Sequence, residues 1–364
     1  MLIKEAVEIR EEVEIKFQGI PEKVASGCPV SLKDRFISEF VTTKGNGVLH
    51  LRKSDNNTAA ALESNASNGV VIHQKINNVR YLNKFFEEIN RAQKKGTFLV
   101  GSVETHYQFR KRVSNKYPAA LVLPFFILHF LVKRVLPKWA VSRRLYFYLT
   151  RGRGRVISLT EVLGRLVSCG YDLVKVENID GLTWFAVRKQ LDPLFDMQPT
   201  YGPLVTLNRV GKGGKMIRIY KFRTMHPYAE YLQKYIYQLN DLDDGGKFRN
   251  DMRVTEWGRF MRKFWLDEQP MWINLFKGEL KLVGVRPLSR HYFELYPEEI
   301  KELRTRYKPG LIPPFYYDLP KTFEEILDSE RRYLEAYSRS PFRTDVRYLI
   351  GSLYNIFIKR ARSG

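Results

Sequence analysis

Only two cysteines, Cys28 and Cys169, occur in 364 residues, far apart and at no metal or redox spacing. That excludes a disulfide framework and, since the opening residues carry no secretory pattern, points to a reducing cytoplasm. The histidines form no ligand cluster in the sequence, so structural zinc is not expected. The apolar core Ala119 to Val132 falls short of the roughly 20 residues a spanning helix needs, and Pro124 would kink it. Acidic residues are missing between Tyr117 and Arg155, where Lys133, Arg134, Lys138, Arg143, Arg144, Arg151, Arg153 and Arg155 all occur. Helix-turn-helix, ribonucleoprotein and zinc-finger patterns are absent too, which leaves a nucleic-acid partner with little beyond bulk charge to support it.

Positive charge is what the chain has in excess. Lys and Arg total 61 against 39 acids, a formal charge of +22 and a pI near 9.8. Such a balance calls for an anionic partner, whether nucleic acid, acidic lipid or phosphorylated substrate, and does not choose among them. The length suits two compact units with cores of their own. The acid-free stretch, with Trp139, Tyr146, Phe147 and Tyr148 beyond its apolar core, has a membrane-surface composition. A re-entrant or interfacial segment over about 117–150 fits it, with cations on anionic headgroups at the cytoplasmic side. A buried core helix followed by a basic face, with His129 simply packed, fits the same residues.

Two adjacent carboxylates, Asp267 and Glu268, are followed by the glycine-bounded stretch Lys277 to Pro287. Neighbours inside an α-helix point about 100° apart, so such a pair can serve one site only at a helix end. Pro270 supplies that end, since proline suits the first helical turn and disfavours helical geometry just before it. Met271, Trp272, Leu275 and Phe276 continue at helical spacing. The positive pole of that helix should attract phosphate and keep Asp267 ionised. An acidic N-terminal cap is the plainer alternative. Arg262 and Arg286 are candidate phosphate clamps because guanidinium is a planar bidentate donor, and Lys221 and Arg223 rank next. Each cation taken alone also reads as a solvated surface charge. Gly213, Gly214, Gly278 and Gly284 suit either close approach to phosphate or tight turns. Arg209 to Lys215 reads as a hairpin, with Met216 to Tyr220 as its returning strand.

From Tyr201 to about Gly310 the chain resembles the bacterial sugar transferases, the monotopic polyprenyl-phosphate phosphoglycosyl transferases. The resemblance lies in ordered blocks: Tyr201 to Val205 with Asn208 to Lys215, Ile219 to Met225, Arg253 to Thr255, Trp257 to Lys263, Leu266 to Pro270, Asn274 to Glu279, Leu282 to Pro287 and Lys308 to Gly310. It implies transfer of a sugar 1-phosphate from a UDP-sugar to polyprenyl (undecaprenyl) phosphate, releasing UMP and starting a cell-surface polysaccharide. Asp267 would be the nucleophile and form an aspartyl-phosphosugar, Glu268 would orient or deprotonate, and both would hold Mg2+. Lys221, Arg223, Arg262, Arg286 and Arg253, with Gly202 and Pro203, form the implied substrate-binding set. The resemblance also implies a monotopic or peripheral place on the cytoplasmic face of the bacterial inner membrane, no nucleic-acid partner, and leaves homo-oligomer formation open. A catalytically inert scaffold at the lipid surface is the alternative.

The first 68 residues read as a poorly defined segment: Lys4 to Lys16 suits strand or helix, and Asp55 to Gly69 suits a mobile loop. Beyond it, Val70 to His73 reads as a buried strand. Val79 to Lys95 carries Val79, Leu82, Phe85, Phe86 and Ile89 at helical spacing, and Thr97 to Val100 reads as the next strand. A capped helix from Ser158 and two strands, Tyr171 to Val176 and Leu182 to Val187, close the unit. This pattern is similar to the later half of a class I SAM-dependent methyltransferase, without the glycine-rich turn that cradles the methyl donor. The expected fold is therefore mixed α/β and α+β. A Rossmann-like, degenerate methyltransferase-like domain over 69–190 precedes a membrane-associated catalytic domain over 191–364, whose tail from Arg331 to Ala361 is basic and helical. That tail suits either the bilayer or packing on the core.

Overall fold

A computed structural model describes residues 15–16, 31–41, 48–51, 69–136, 140–195, 202–239, 242–243, 247–248 and 251–359. The expectations for Lys4 to Glu14, for Asp55 to Asn68 and for Cys28 lie outside them. The chain divides into two compact units, Met1–Pro199 with His226–Leu239, and Thr200–Met225 with Asn240–Gly364.

The first unit is built on six strands: β1 (Ile15–Lys16), β2 (Val48–Leu51), β3 (Gly69–Lys75), β4 (Phe98–Val103), β5 (Tyr171–Ile179) and β6 (Leu182–Lys189), in the order β1-β5-β6-β4-β3-β2. Strands β2, β3 and β4 run parallel, and the β5–β6 hairpin is joined to β4 through the antiparallel β6. Helix α1 (Leu32–Phe40) lays Phe36 and Ile37 on one face of the sheet, against Val71, Val100, Trp184 and Ala186. The crossover from β3 to β4 is α2 (Leu82–Ala92), which buries Leu82, Phe85, Phe86 and Ile89 at the spacing that identified it.

Three further helices, α3 (His106–Lys116), α4 (Ala119–Phe130) and α5 (Ala140–Thr150), precede α6 (Leu159–Ser168). Helix α4 continues through Pro124 and ends in a π-helical turn at Leu131–Val135. No helix among the described residues is long and apolar enough to cross a membrane.

The segment 226–239, which the sequence reading assigned to the catalytic domain, counts with the first unit. It ends in α7 (Gln233–Leu239) and is held by aromatic anchors. Tyr228 packs under the Arg165 guanidinium, 4.4 Å from its ring centroid, and accepts a hydrogen bond from Asn83 on its hydroxyl at 2.7 Å. Arg165 is itself paired with buried Glu161 at 2.7 Å. Tyr235 donates to Asp172.

The second unit opens with the expected hairpin, β7 (Leu204–Val210) and β8 (Met216–Phe222). Gly213 and Gly214 close it at φ 67° and 72°, a left-handed backbone that favours glycine, so the turn accounts for them. Two short antiparallel strands, β9 (Leu242–Asp243) and β10 (Lys247–Phe248), and helix α8 (Glu256–Lys263) follow. A 3-10 helix at Leu266–Met271 runs directly into α9 (Trp272–Phe276). Strand β11 (Lys281–Val283) pairs in parallel with β12 (Gly310–Ile312), so closely that a Cβ on Gly284 would stand 2.9 Å from the Gly310 nitrogen. Between these strands lie α10 (Arg290–Glu294) and α11 (Glu298–Arg306), and after them α12 (Phe315–Asp318), α13 (Phe323–Arg339) and α14 (Pro341–Phe357). The tail is thus two helices parted before Pro341. Tyr333, Leu334 and Tyr348 pack with Val283 and Val285, while Phe342, Ile350 and Tyr354 stay exposed.

A Cβ placed on Gly164 of α6 would stand 2.2 Å from the Tyr228 carbonyl oxygen. Gly164→Ala is therefore expected to cost about 1–3 kcal/mol of folding free energy by overpacking, read as a lower denaturation midpoint in urea.

Candidate active site

Two periodicities bring the acidic pair to a lysine. Along β8, alternate residues share a face, so Ile217, Ile219 and Lys221 point the same way. In a 3-10 helix residues three apart eclipse, which places Glu268 over Met271 and Asp267 over Pro270. Ile219 and Met271 are buried together with Leu280. Stepping from that contact along both elements, Lys221 meets Glu268, and its Nζ donates to Oε1 at 2.6 Å, with each side chain 18% exposed.

Asn274 fixes the register beneath. It is fully buried and accepts from the Tyr220 backbone N–H at 3.1 Å. Its amide nitrogen donates to the Arg218 carbonyl and to Glu279, both at 2.6 Å. One side chain therefore ties β8 to α9 and to the turn that follows, inside the core where each such bond is costly to lose.

Helix α8 supplies Arg262. Thr255 caps the helix by accepting from the Gly258 N–H at 2.8 Å. Gly258 lets it lie directly on the chain just beyond β8, since a Cβ there would stand 2.0 Å from the Thr224 carbonyl oxygen. Arg262 Nε then donates to Thr224 Oγ1 at 3.1 Å. After α8 the chain turns at Trp265, left-handed at φ 59°, whose ring packs 4.5 Å from that of Tyr316, and enters the 3-10 helix.

The carboxylates therefore lie inside a short 3-10 turn, where the sequence placed them just before or at the start of an α-helix. The electrostatics also differ from the expectation that the helix pole would favour the ionised form. Burial and the Glu268 carboxylate push the Asp267 proton affinity up, and the pull of Lys221 and Arg262 only partly offsets them.

The other site candidates lie around this centre in smaller groups. Arg223 holds the Gly-Pro block, its Nε donating to the Gly202 carbonyl at 2.9 Å and its backbone N–H to the Pro203 carbonyl at 2.6 Å. Arg253 is buried and forms a forked pair with Asp251 at 2.7–3.0 Å. Arg286 is exposed, and its carbonyl accepts from Arg304 at 2.5 Å. It stands near Arg209, whose proton affinity is lowered by burial and by the Arg286 charge. The sequence reading singled out neither Arg209 nor the positioning residues Thr224 and Asn274, though all three fall inside the quoted blocks.

Among the described residues no group of three His, Cys, Asp or Glu side chains could enclose a metal ion. Two carboxylates with open coordination suit Mg2+, which keeps waters and takes substrate phosphates in place of a full protein cage. Asp267 and the second oxygen of Glu268 fit that donor set.

Residues 195–359 match the family model of the bacterial sugar transferases. This region of the chain is similar to that family. A galactosyl transferase, CpsE, of Streptococcus agalactiae is 34% identical over 142 residues, covering 38% of this chain and 31% of that protein. The UDP-N-acetylgalactosamine-undecaprenyl-phosphate N-acetylgalactosaminephosphotransferase of Aeromonas hydrophila is 37% identical over 115 residues, 30% of this chain and 24% of its own length. The undecaprenyl-phosphate galactose phosphotransferase of Salmonella typhimurium is 35% identical over 108 residues, 28% and 22% respectively. The chain thus spans under a third of the length of each of these three relatives.

Because Lys221 is one of the two charges holding the Asp267 proton affinity down, Lys221→Met should raise it further. If ionised Asp267 drives turnover, the acid limb of the pH–rate profile shifts to higher pH in the variant. A profile with an unmoved acid limb would separate Lys221 from the titrating group.

Proposed function

We propose that the second unit transfers a sugar 1-phosphate from a UDP-sugar to polyprenyl phosphate, and that Asp267 carries the group between them. The observation that supports this most is the convergence of Asp267 with Glu268, Lys221 and Arg262 within the region that matches the family. A carboxylate can act as a covalent nucleophile, and a two-step route separates two displacements that would otherwise bring two anionic substrates together.

In the first step an Asp267 oxygen attacks the phosphorus bonded to the sugar. The bond from that phosphorus to the bridging oxygen breaks, and UMP leaves with the bonding pair. In the second, an oxygen of polyprenyl phosphate attacks the same phosphorus and the Asp267 carboxylate departs, leaving a lipid diphosphosugar. Glu268, held by Lys221, orients the attacking carboxylate. Arg262, held by Thr224, offers a planar donor to phosphate oxygens as charge develops. Mg2+, bound by Asp267 and Glu268, would neutralise the diphosphate.

Exposed aromatics favour a lipid acceptor. Trp257 and Phe260 on α8 and Phe264 directly after it are 68%, 46% and 53% exposed, with Arg259 and Lys263 on the same short helix. Such a helix suits a bilayer interface, with rings in the headgroup layer and cations reaching its phosphates. In the first unit Leu121, Ile127, Leu128, Leu145, Tyr148 and Leu149 are also exposed on α4 and α5, within the acid-free stretch. These surfaces support monotopic or peripheral attachment at the cytoplasmic face of the inner membrane. Transfer to a lipid carrier there would begin a surface polysaccharide such as a capsule, exopolysaccharide or lipopolysaccharide. For the first unit, the strand order β5-β6-β4-β3, with β6 alone reversed, supports the reading as the later half of a methyltransferase-like Rossmann scaffold.

The test is transfer itself. Full-length protein, a panel of labelled UDP-sugars, Mg2+ and polyprenyl phosphate should give an organic-soluble product with release of UMP. Asp267→Asn should lower the rate at least about a thousandfold. Since an acid with a raised proton affinity favours the fold below its ordinary titration range and loses that contribution as it ionises, the variant's Tm at neutral pH should equal or exceed the parent's. Unchanged transfer in Asp267→Asn would remove the nucleophile assignment. No transfer from any donor would favour the inert scaffold.

A further inference from the structure

The backbone that carries Arg286 is held at three points by three different elements. The Val285 carbonyl accepts from the Gly310 N–H of β12 at 2.9 Å, and the Leu288 carbonyl accepts from the Val210 N–H of β7 at 2.9 Å. Between them the Arg286 carbonyl accepts from Arg304 Nη2 of α11 at 2.5 Å. Pro287 fixes a further torsion within the run. Arg286 thus leaves a rigid stretch of chain, and its own side chain is exposed.

Of the three donors only Arg304 is a side chain, and it is buried. Its Nη1 is paired with Glu330 of α13, also buried, and its guanidinium lies 4.9 Å from the centroid of the Tyr296 ring. Because guanidinium is planar, fixing Nη1 on Glu330 fixes the direction of Nη2 as well. Stability does not account for such a pair. Taking two charges out of water is costly, and apolar residues of similar volume often serve a core as well or better. What the pair supplies, and an apolar pair would not, is a donor aimed at one carbonyl.

The Arg286 side chain stands near Arg209, and its charge lowers the Arg209 proton affinity, so two like charges approach each other at a half-buried position. An anion held by both would relieve that repulsion.

We propose that Arg304, locked by Glu330, is a positioning residue that aims Arg286 at a substrate phosphate. The assignment rests on the transfer reading above. Arg304 acts through the Arg286 backbone, and its loss leaves Arg286 present but misdirected, an error to which transition-state stabilisation is sensitive.

The test is a double-mutant cycle in the full-length protein, read as kcat/KM for UMP release from the UDP-sugar that the parent turns over fastest. Arg304→Met/Glu330→Met removes the buried pair together and leaves no unpaired charge in its place. Arg286→Gln removes the aimed group, and a further variant combines these changes. Arg304→Lys keeps a charge on Glu330 but not the planar second donor, and it replaces the paired variant in the cycle if melting curves show that variant unfolded. Hydrogen exchange over residues 283–290 reads the backbone directly.

Arg304→Met/Glu330→Met should melt close to the parent or above it and exchange faster over 283–290. Its kcat/KM should fall about tenfold, as should that of Arg286→Gln. The combined variant should lose no more than Arg286→Gln alone, since aim has no value without the group aimed. An undiminished kcat/KM in the paired variant, losses that multiply, or unchanged exchange over 283–290 would overturn the assignment and leave the transfer reading standing. A parent that releases no UMP from any UDP-sugar would overturn the transfer reading, and this assignment with it.

Discussion

The Lys221 to Glu268 ion pair is the contact on which the site depends, because it is where the period of a strand and the period of a 3-10 helix meet. Ile219 and Met271 provide the apolar part of that meeting, and the charged pair continues it toward solvent. A one-residue slip in β8 would turn Lys221 to the opposite face. The site is therefore specified by packing before its chemistry is considered. Asn274 guards the same register from below, since its partners are backbone groups of β8 itself.

The arrangement sets a tension at Asp267. Its neighbour Glu268 is neutralised by a lysine, while Asp267 shares the pull of two cations and is bonded directly to neither in the described contacts. A carboxylate so placed is partly desolvated and destabilised in the ionised form, which is a reactive state for a nucleophile and a cost to folding. Arg262 reaches the same region from α8, braced by Thr224. Support from two sides lets these groups keep their positions while the charges around them change.

Much of the frame was legible in the chain. The spacing of Leu82, Phe85, Phe86 and Ile89 identified α2, and the glycines between β7 and β8 identified a hairpin, because local periodicity and turn chemistry suffice there. Pro270 marked a helix start but could not distinguish a 3-10 turn from an α-helix, so the sign of the Asp267 shift was missed. What sequence could not supply was distance. Tyr228 meets Asn83 from 145 residues away, and no local pattern in 226–239 signals that it packs in the first unit. Arg253 sits two residues from its partner Asp251, and only the structure reveals that its guanidinium is forked onto that carboxylate. The approach of two like charges, Arg286 and Arg209, is likewise a product of tertiary folding.

If this account is right, the Asp267 carboxyl becomes esterified to a glycosyl phosphate during each turnover. The most direct measurement is intact-protein mass spectrometry after rapid quenching of the enzyme with its UDP-sugar in the absence of lipid acceptor, followed by peptide mapping. The expected result is a mass increase of one sugar phosphate on the peptide carrying Asp267, discharged when polyprenyl phosphate is added. An unmodified protein under conditions where transfer proceeds would contradict it.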